Sequence, residues 1–80
     1  MKVTLKLPRL SANMNEAVVV KWHKQPGEAF AEGEALYDVE TEKVTATVEA
    51  PCEGKLLQVL VSDDQDIEVG DPVCRIEKAG

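Results

Sequence analysis

Apolar and polar residues alternate along most of this chain with a period of two, the spacing of a strand with one face buried. In "KVTLKL" (2–7) Val3, Leu5 and Leu7 share a face, and Pro8 ends the run. "RLSANMNE" (9–16) is polar and loop-like. "AVVVKW" (17–22) is rich in β-branched residues and stops before the turn "KQPGE". Residues 28–31 have room for one very short strand, ended by "EGE". "ALYDVE" (35–40) and "KVTATVEA" (43–50) flank a bend at Thr41-Glu42. In the second of these Val44, Ala46, Val48 and Ala50 lie on one face, and Lys43, Thr45, Thr47 and Glu49 on the other. After the turn "PCEG" come a strand "KLLQVLV", a loop "SDDQD", a turn "VGDP" and a last strand "VCRIE". A helix through "EAFAEGEALYDVE" is the rival for the middle of the chain. Gly33 at its centre and the lack of an apolar stripe at helical spacing count against it.

The pattern repeats. A shift of 37 residues brings Ala17, Val19 and Val20 onto Gly54, Leu56 and Leu57, Phe30 onto Ile67, and "GEALYDVE" onto "GDPVCRIE". Each half therefore contributes a similar four-strand unit that cannot bury its apolar face alone. The fold expected is all-β: a flattened barrel or sandwich of two four-stranded antiparallel sheets with quasi two-fold symmetry. Gly27 and Gly54 read as turn glycines. In the repeat, the bend after Glu40 corresponds to the chain end after Glu77. A two-fold that exchanges the ends of the molecule would put Lys43 and the C-terminus at opposite ends.

Eighty residues allow one domain, read here as 1–80 with a folded core over 1–77 and the start of a linker at 78–80. The 44% apolar and 30% charged content is that of a soluble globular chain. A formal net charge of −6 argues against nucleic acid and anionic membrane as partners. No apolar run approaches the roughly 18 residues of a membrane span, and the alternating N-terminus does not read as a secretory signal. Cys52 and Cys74, with the lone His23, do not match the usual zinc spacing, and no metal site is expected. They read as buried or spare thiols in a reducing compartment, the cytoplasm, or the mitochondrial matrix if the parent protein is eukaryotic, with a disulfide between them as the alternative.

Little in the chain suggests catalysis. Asp38, Glu40 and Glu42 crowd the bend, yet a hairpin tip cannot exclude water, so they do not read as an acid–base pair. His23 has no identifiable nucleophile partner. The one cation among the charged residues of 38–43 is Lys43. Taken alone it is a solvated surface amine.

The setting of that lysine resembles a known family, the lipoyl domains of the dihydrolipoamide acyltransferase component of 2-oxo acid (or acetoin) dehydrogenase complexes. "ETEKV" (40–44) looks like that family's lipoylation hairpin, Gly54 stands eleven residues after Lys43, and Gly27 stands sixteen before it. "LPRLSANMNEAVVVKWHKQPGE" (7–28) and "GDPVCRIE" (70–77) extend the likeness over essentially the whole chain. Glu42 stands where aspartate is usual, Val44 where alanine is commonest, and Ala17 where glycine is more usual.

The resemblance implies a carrier, not an enzyme. Lipoate would be held on Lys43 in covalent amide linkage, attached by a lipoate ligase or lipoyl transferase. The arm would be acylated at a thiamine-diphosphate decarboxylase, deliver to an acyltransferase core, and be reoxidised by dihydrolipoamide dehydrogenase. Glu40, Thr41, Glu42 and Val44 would be recognition residues, and so would Ser11 and Asn13 in a loop lying near the hairpin. Gly27 and Gly54 would be structural. Two alternatives stand beside this reading: a biotin carrier moving carboxyl groups, and an unmodified barrel acting as an adaptor. In the biotin family the lysine usually lies between two methionines, whereas Lys43 lies between Glu42 and Val44.

Overall fold

The computed structural model describes residues 1–10, 12–62 and 65–79. Its strands are β1 (Lys2–Lys6), β2 (Glu16–Trp22), β3 (Ala29–Phe30), β4 (Ala35–Glu40), β5 (Thr45–Glu49), β6 (Gly54–Val59), β7 (Asp66–Glu68) and β8 (Pro72–Lys78). They form two four-stranded sheets, in the orders β1-β8-β6-β3 and β5-β4-β2-β7, with every pairing antiparallel. The stretch 28–40 is strand, turn and strand. Gly33 sits in the turn at φ 83°, a backbone that no helix former there could adopt cheaply.

The two halves of the chain do not form one sheet each. Each sheet takes two strands from each half, so neither half has a finished core without the other. The sheet orders map onto one another when β1 to β4 are replaced by β5 to β8, and the detail follows. Val20 is bulged against β4 and Leu57 against β8, 37 residues apart. Leu36 and Val73 are bulged at the same spacing. His23 N–H donates to Leu36 O at 2.8 Å, and Leu60 N–H to Val73 O at 2.8 Å. The turns repeat even in their side-chain bonds. Ala31 N–H donates to Glu34 Oε1 and Glu68 N–H to Asp71 Oδ2, both at 3.0 Å.

The first strand follows its own offset of 43. Lys78 N–H donates to Met1 O at 2.8 Å, as Thr41 N–H donates to Val44 O at 2.8 Å. The lysine hairpin is thus the symmetry mate of the place where the two chain ends meet. β8 continues through Lys78, one residue past the core end expected at 77, because that bond to Met1 and the pairing with Gly54 hold it in the ladder.

Between the sheets lies one cluster of buried side chains. Leu56, Val73, Cys74 and Ile76 come from the first sheet, and Val19, Leu36, Tyr37, Val39, Val48 and Ile67 from the second. Leu7, Met14 and Ala50 close it from the connecting segments. Trp22 packs half-buried on Tyr37, ring centroids 4.8 Å apart. Both cysteines are free, and burial pushes the Cys74 thiol up to about 11. Because the thiolate is the reacting form, a thiol reagent should titrate Cys52 in the folded protein and reach Cys74 only on denaturation. Two fast-reacting thiols in the native state would contradict that packing.

Candidate functional site: the lysine hairpin

The hairpin is built from β4 and β5, whose ladder runs from Ala35↔Glu49 at its base to Glu40↔Thr45 at its tip. Burial falls along it: Ala50 and Val48 are buried, Ala46 is half-buried, and Val44 is 54% exposed. The apolar face read from the sequence is real, but it runs out of core before the tip. Thr41 N–H donates to Val44 O, so the turn residues are Glu42 and Lys43, one position later than the bend read from the sequence. Thr41 closes the turn from both sides. Its hydroxyl donates to Val44 O at 3.1 Å and accepts from Val44 N–H at 3.2 Å. Thr41 thus does local structural work, satisfying an amide that the turn would otherwise leave to water. Thr41→Val should cost about 1 kcal/mol and speed amide exchange at Val44. Unchanged exchange there would contradict the cap.

Lys43 is exposed, and among the described residues it has no ion-pair partner. Glu40 and Glu42 beside it are exposed too. The surface they form is open and polar, and it has no walls to exclude water from a reaction.

Under the hairpin's outer face a second link ties three segments together. Asp38 Oδ1 accepts from Thr47 Oγ1 at 2.7 Å and lies 2.9 Å from His23 Nε2. The Thr47 bond first, then His23, hold the Asp38 carboxyl below the usual carboxylate range. His23, which suggested no role in the sequence, is a brace at the end of β2. Cross-strand register (Asp38↔Thr47, Lys21↔Asp38) is the signal that would have found it.

The sign of the linkage follows. A carboxyl lowered in the fold adds stability above its unfolded pKa, and that stability is lost as pH falls through the folded value. Asp38→Asn should therefore be less stable than wild type at pH 7, and the gap should close as pH drops below about 4. A gap that widens with acid would contradict this.

The other residues singled out from the sequence separate. β2 pairs Val18 with Glu40, so Glu16 lies level with the hairpin turn, and the loop before it emerges at the same end. Asn13 in that loop is exposed, and among the described residues no hydrogen bond joins it to the hairpin. Ser11 lies outside the described residues. Met14 is buried, a core plug. Gly27 is a turn glycine at φ 99°. Gly54 is not. It opens β6 inside the sheet, and a Cβ there would run into the carbonyl oxygen of Glu77. Close approach of two strands, not turn geometry, asks for glycine at that position.

The far end of the molecule is defined by the ladders. Gly33 N–H donates to Ala50 O at the hairpin base, and Ala79 N–H donates to Glu53 O, three residues beyond Ala50. Ala79 therefore sits at the base end, about 17 Å or more of strand from the tip at 3.3 Å per residue, in a molecule whose longest extent is 36 Å.

A two-sheet barrel that offers one bare amine on a braced turn is the shape of a prosthetic-group carrier, and comparison with known proteins agrees. A model of the biotin and lipoyl family, described as "Biotin-requiring enzyme", matches residues 3–76. The chain is 42% identical over 71 residues to the dihydrolipoyllysine-residue succinyltransferase component of the 2-oxoglutarate dehydrogenase complex of Cupriavidus necator. That match covers 89% of the chain but only 17% of the relative's length. The solution structure of the lipoyl domain of the 2-oxoglutarate dehydrogenase complex from Azotobacter vinelandii superposes with a TM-score of 0.76 at 27% identity. The superposition covers 98% of this chain and 99% of that one. A single-chain, multi-domain long-chain acyl-CoA carboxylase shares the fold, with a TM-score of 0.80 at 22% identity over 99% of this chain and 7% of that one. The chain belongs to the biotin and lipoyl carrier family, as a domain of the lipoyl type.

Proposed function

We propose that Lys43 carries lipoate in amide linkage and that the domain moves acyl groups within a 2-oxo acid dehydrogenase complex without catalysing any step itself. The observation that carries the reading is the position of one unpaired amine in a two-residue turn, held by Thr41 and remote from the core. Amide formation consumes the amine's charge and takes the formal net from the −6 of the sequence to −7. It leaves the exposed Glu40 and Glu42 beside a neutral arm, as an address for the decarboxylase and the ligase. The names of the Cupriavidus relative and the Azotobacter domain favour succinyl as the acyl group and the 2-oxoglutarate complex as the assembly. The partners are then the thiamine-diphosphate decarboxylase, the acyltransferase core and dihydrolipoamide dehydrogenase, in the cytoplasm or the mitochondrial matrix.

The mechanism is one of tethering. When bound, the lipoyl group supplies a disulfide that accepts an acyl group and two electrons. The protein's part is to hold the lysine stem on a rigid turn and to exclude nothing. A linker continuing from Ala79 would leave from the end opposite Lys43 and let the tip sweep between active sites. Each transfer then becomes intramolecular at an effective concentration on the order of millimolar, so weak contacts suffice.

The lipoylated domain should accept succinyl groups from a 2-oxoglutarate decarboxylase with a kcat/KM at least about a hundredfold above that of free lipoamide, the advantage of a positioned reactant. Equal rates with free lipoamide would count against recognition of the folded domain.

A further inference from the structure

The outer faces of the two sheets share one backbone frame and carry opposite charge. On the β1-β8-β6-β3 sheet, register sets Lys2, Thr4 and Lys6 beside Glu77, Arg75 and Pro72, with Lys55 and Gln58 on the other side of Glu77 and Arg75. All of these are exposed, while Leu56 and Ile76 between them point into the core. At the symmetry-equivalent places on the other sheet stand Thr45, Thr47 and Glu49, then Glu40 and Asp38, then Val18 and Lys21. Glu16, Asp66 and Glu68 add carboxylates along its β2–β7 edge.

Four of the chain's nine Lys and Arg residues thus share one face with a single carboxylate. Among the described residues Lys2, Lys6, Lys55 and Arg75 have no ion-pair partner, and Glu77 is engaged by the Met1 amine at 3.2 Å. Four like charges on one sheet face repel one another, and among the described residues no ion pair to any of the four offsets that cost.

We infer that this basic face docks a carboxylate-rich protein segment. Charge complementarity selects the partner, and the rest of the molecule narrows it. A long polyanion, such as nucleic acid or an anionic bilayer, extends past the face and meets the net −6 of the whole chain. A short acidic segment stays within the roughly 10 Å over which the face dominates at 0.1 M salt. The acidic face of a second copy would match in sign, but that contact is head-to-tail and would chain copies into rings or filaments, which the self-association arm of the test reads. The face lies on the sheet that does not carry the hairpin, so docking there leaves Lys43 free. The inference needs no group on Lys43, and its test is made on unmodified protein.

The test is an NMR titration of the 15N-labelled chain with deca-glutamate at low ionic strength. Shifts should fall on the amides of β1, β6 and β8. The triple variant Lys6→Gln/Lys55→Gln/Arg75→Gln, all exposed positions checked for an unchanged fold by thermal melting, should bind about tenfold more weakly, as expected for loss of steering charges. Lys21→Gln/Lys24→Gln should bind as wild type does. Shifts centred on the Lys43 hairpin, or equal binding by the triple variant, would overturn the inference. So would tighter binding to phosphatidylglycerol vesicles or to a dT20 oligonucleotide, or salt-sensitive self-association without peptide.

Discussion

A Lys43→Arg chain should gain no lipoyl group under conditions in which a lipoate ligase loads the wild-type chain to completion. The guanidinium keeps the charge and much of the length, so the turn held by Thr41 is undisturbed. But arginine stays protonated and delocalised at neutral pH and offers no amine to acylate. The sharper variant moves the lysine by one place, as Glu42→Lys with Lys43→Glu. Composition and net charge are unchanged, and the lysine still lies in the two-residue turn, on its other position. If the ligase reads where the hairpin points the amine, loading should slow by about a hundredfold or more, the scale expected for a reacting group held out of line. Intact mass followed over time reads both results. Equal loading of the transposed chain would mean that the ligase reads exposure alone.

Gly54→Ala should lower the unfolding free energy by about 1–3 kcal/mol, the usual cost of forcing extra atoms into a packed site. The added methyl meets the Glu77 carbonyl oxygen, which belongs to the backbone of β8 and cannot rotate away. Relief therefore requires the β6–β8 ladder to part where Gly54 faces Lys78. In a domain of this size, that corresponds to a fall in Tm of roughly 4–8 °C per kcal/mol. Its repeat mate Ala17 already holds a methyl at 3% exposure in β2, so the two-fold is broken in packing at this pair. Urea denaturation followed by circular dichroism measures the effect. An unchanged midpoint would show that the strands adjust freely and that Gly54 is not needed for close approach.

Much of this was legible in the sequence because the chain states its fold twice. The 37-residue repeat predicted eight strands and their two-fold relation, and the same spacing turned up in the bulges at Val20 and Leu57 and at Leu36 and Val73. β7 is three residues long and has no visible pattern of its own; it was reached only as the mate of β3. Interleaving of the halves was not legible, since periodicity says which face is buried and not against which partner. The sequence puts the turn one residue early because alternation continues through Lys43 and Val44, while the ladder stops at Glu40↔Thr45. The cap that settles it is a rotamer of the Thr41 hydroxyl. Gly54 reads as a turn glycine in the sequence because an inter-strand approach leaves no local signal. Lys43 stands out by resemblance alone, and the fold adds the reason it is bare: the core ends short of the tip.

The openness of the tip and the rigidity behind it fit one role together. Asp38, Thr47 and His23 brace β2, β4 and β5 below the turn, so the stem of Lys43 starts from a fixed place while nothing encloses its end.

The most direct measurement is the intact mass of the wild-type chain after parallel incubation with a lipoate ligase and lipoate, and with a biotin ligase and biotin, each with ATP, followed by fragmentation to locate the added group. The chain should gain one lipoyl group, located on Lys43, and no biotin. A biotin-sized gain, a lipoyl group on any other lysine, or no gain from either ligase would contradict it.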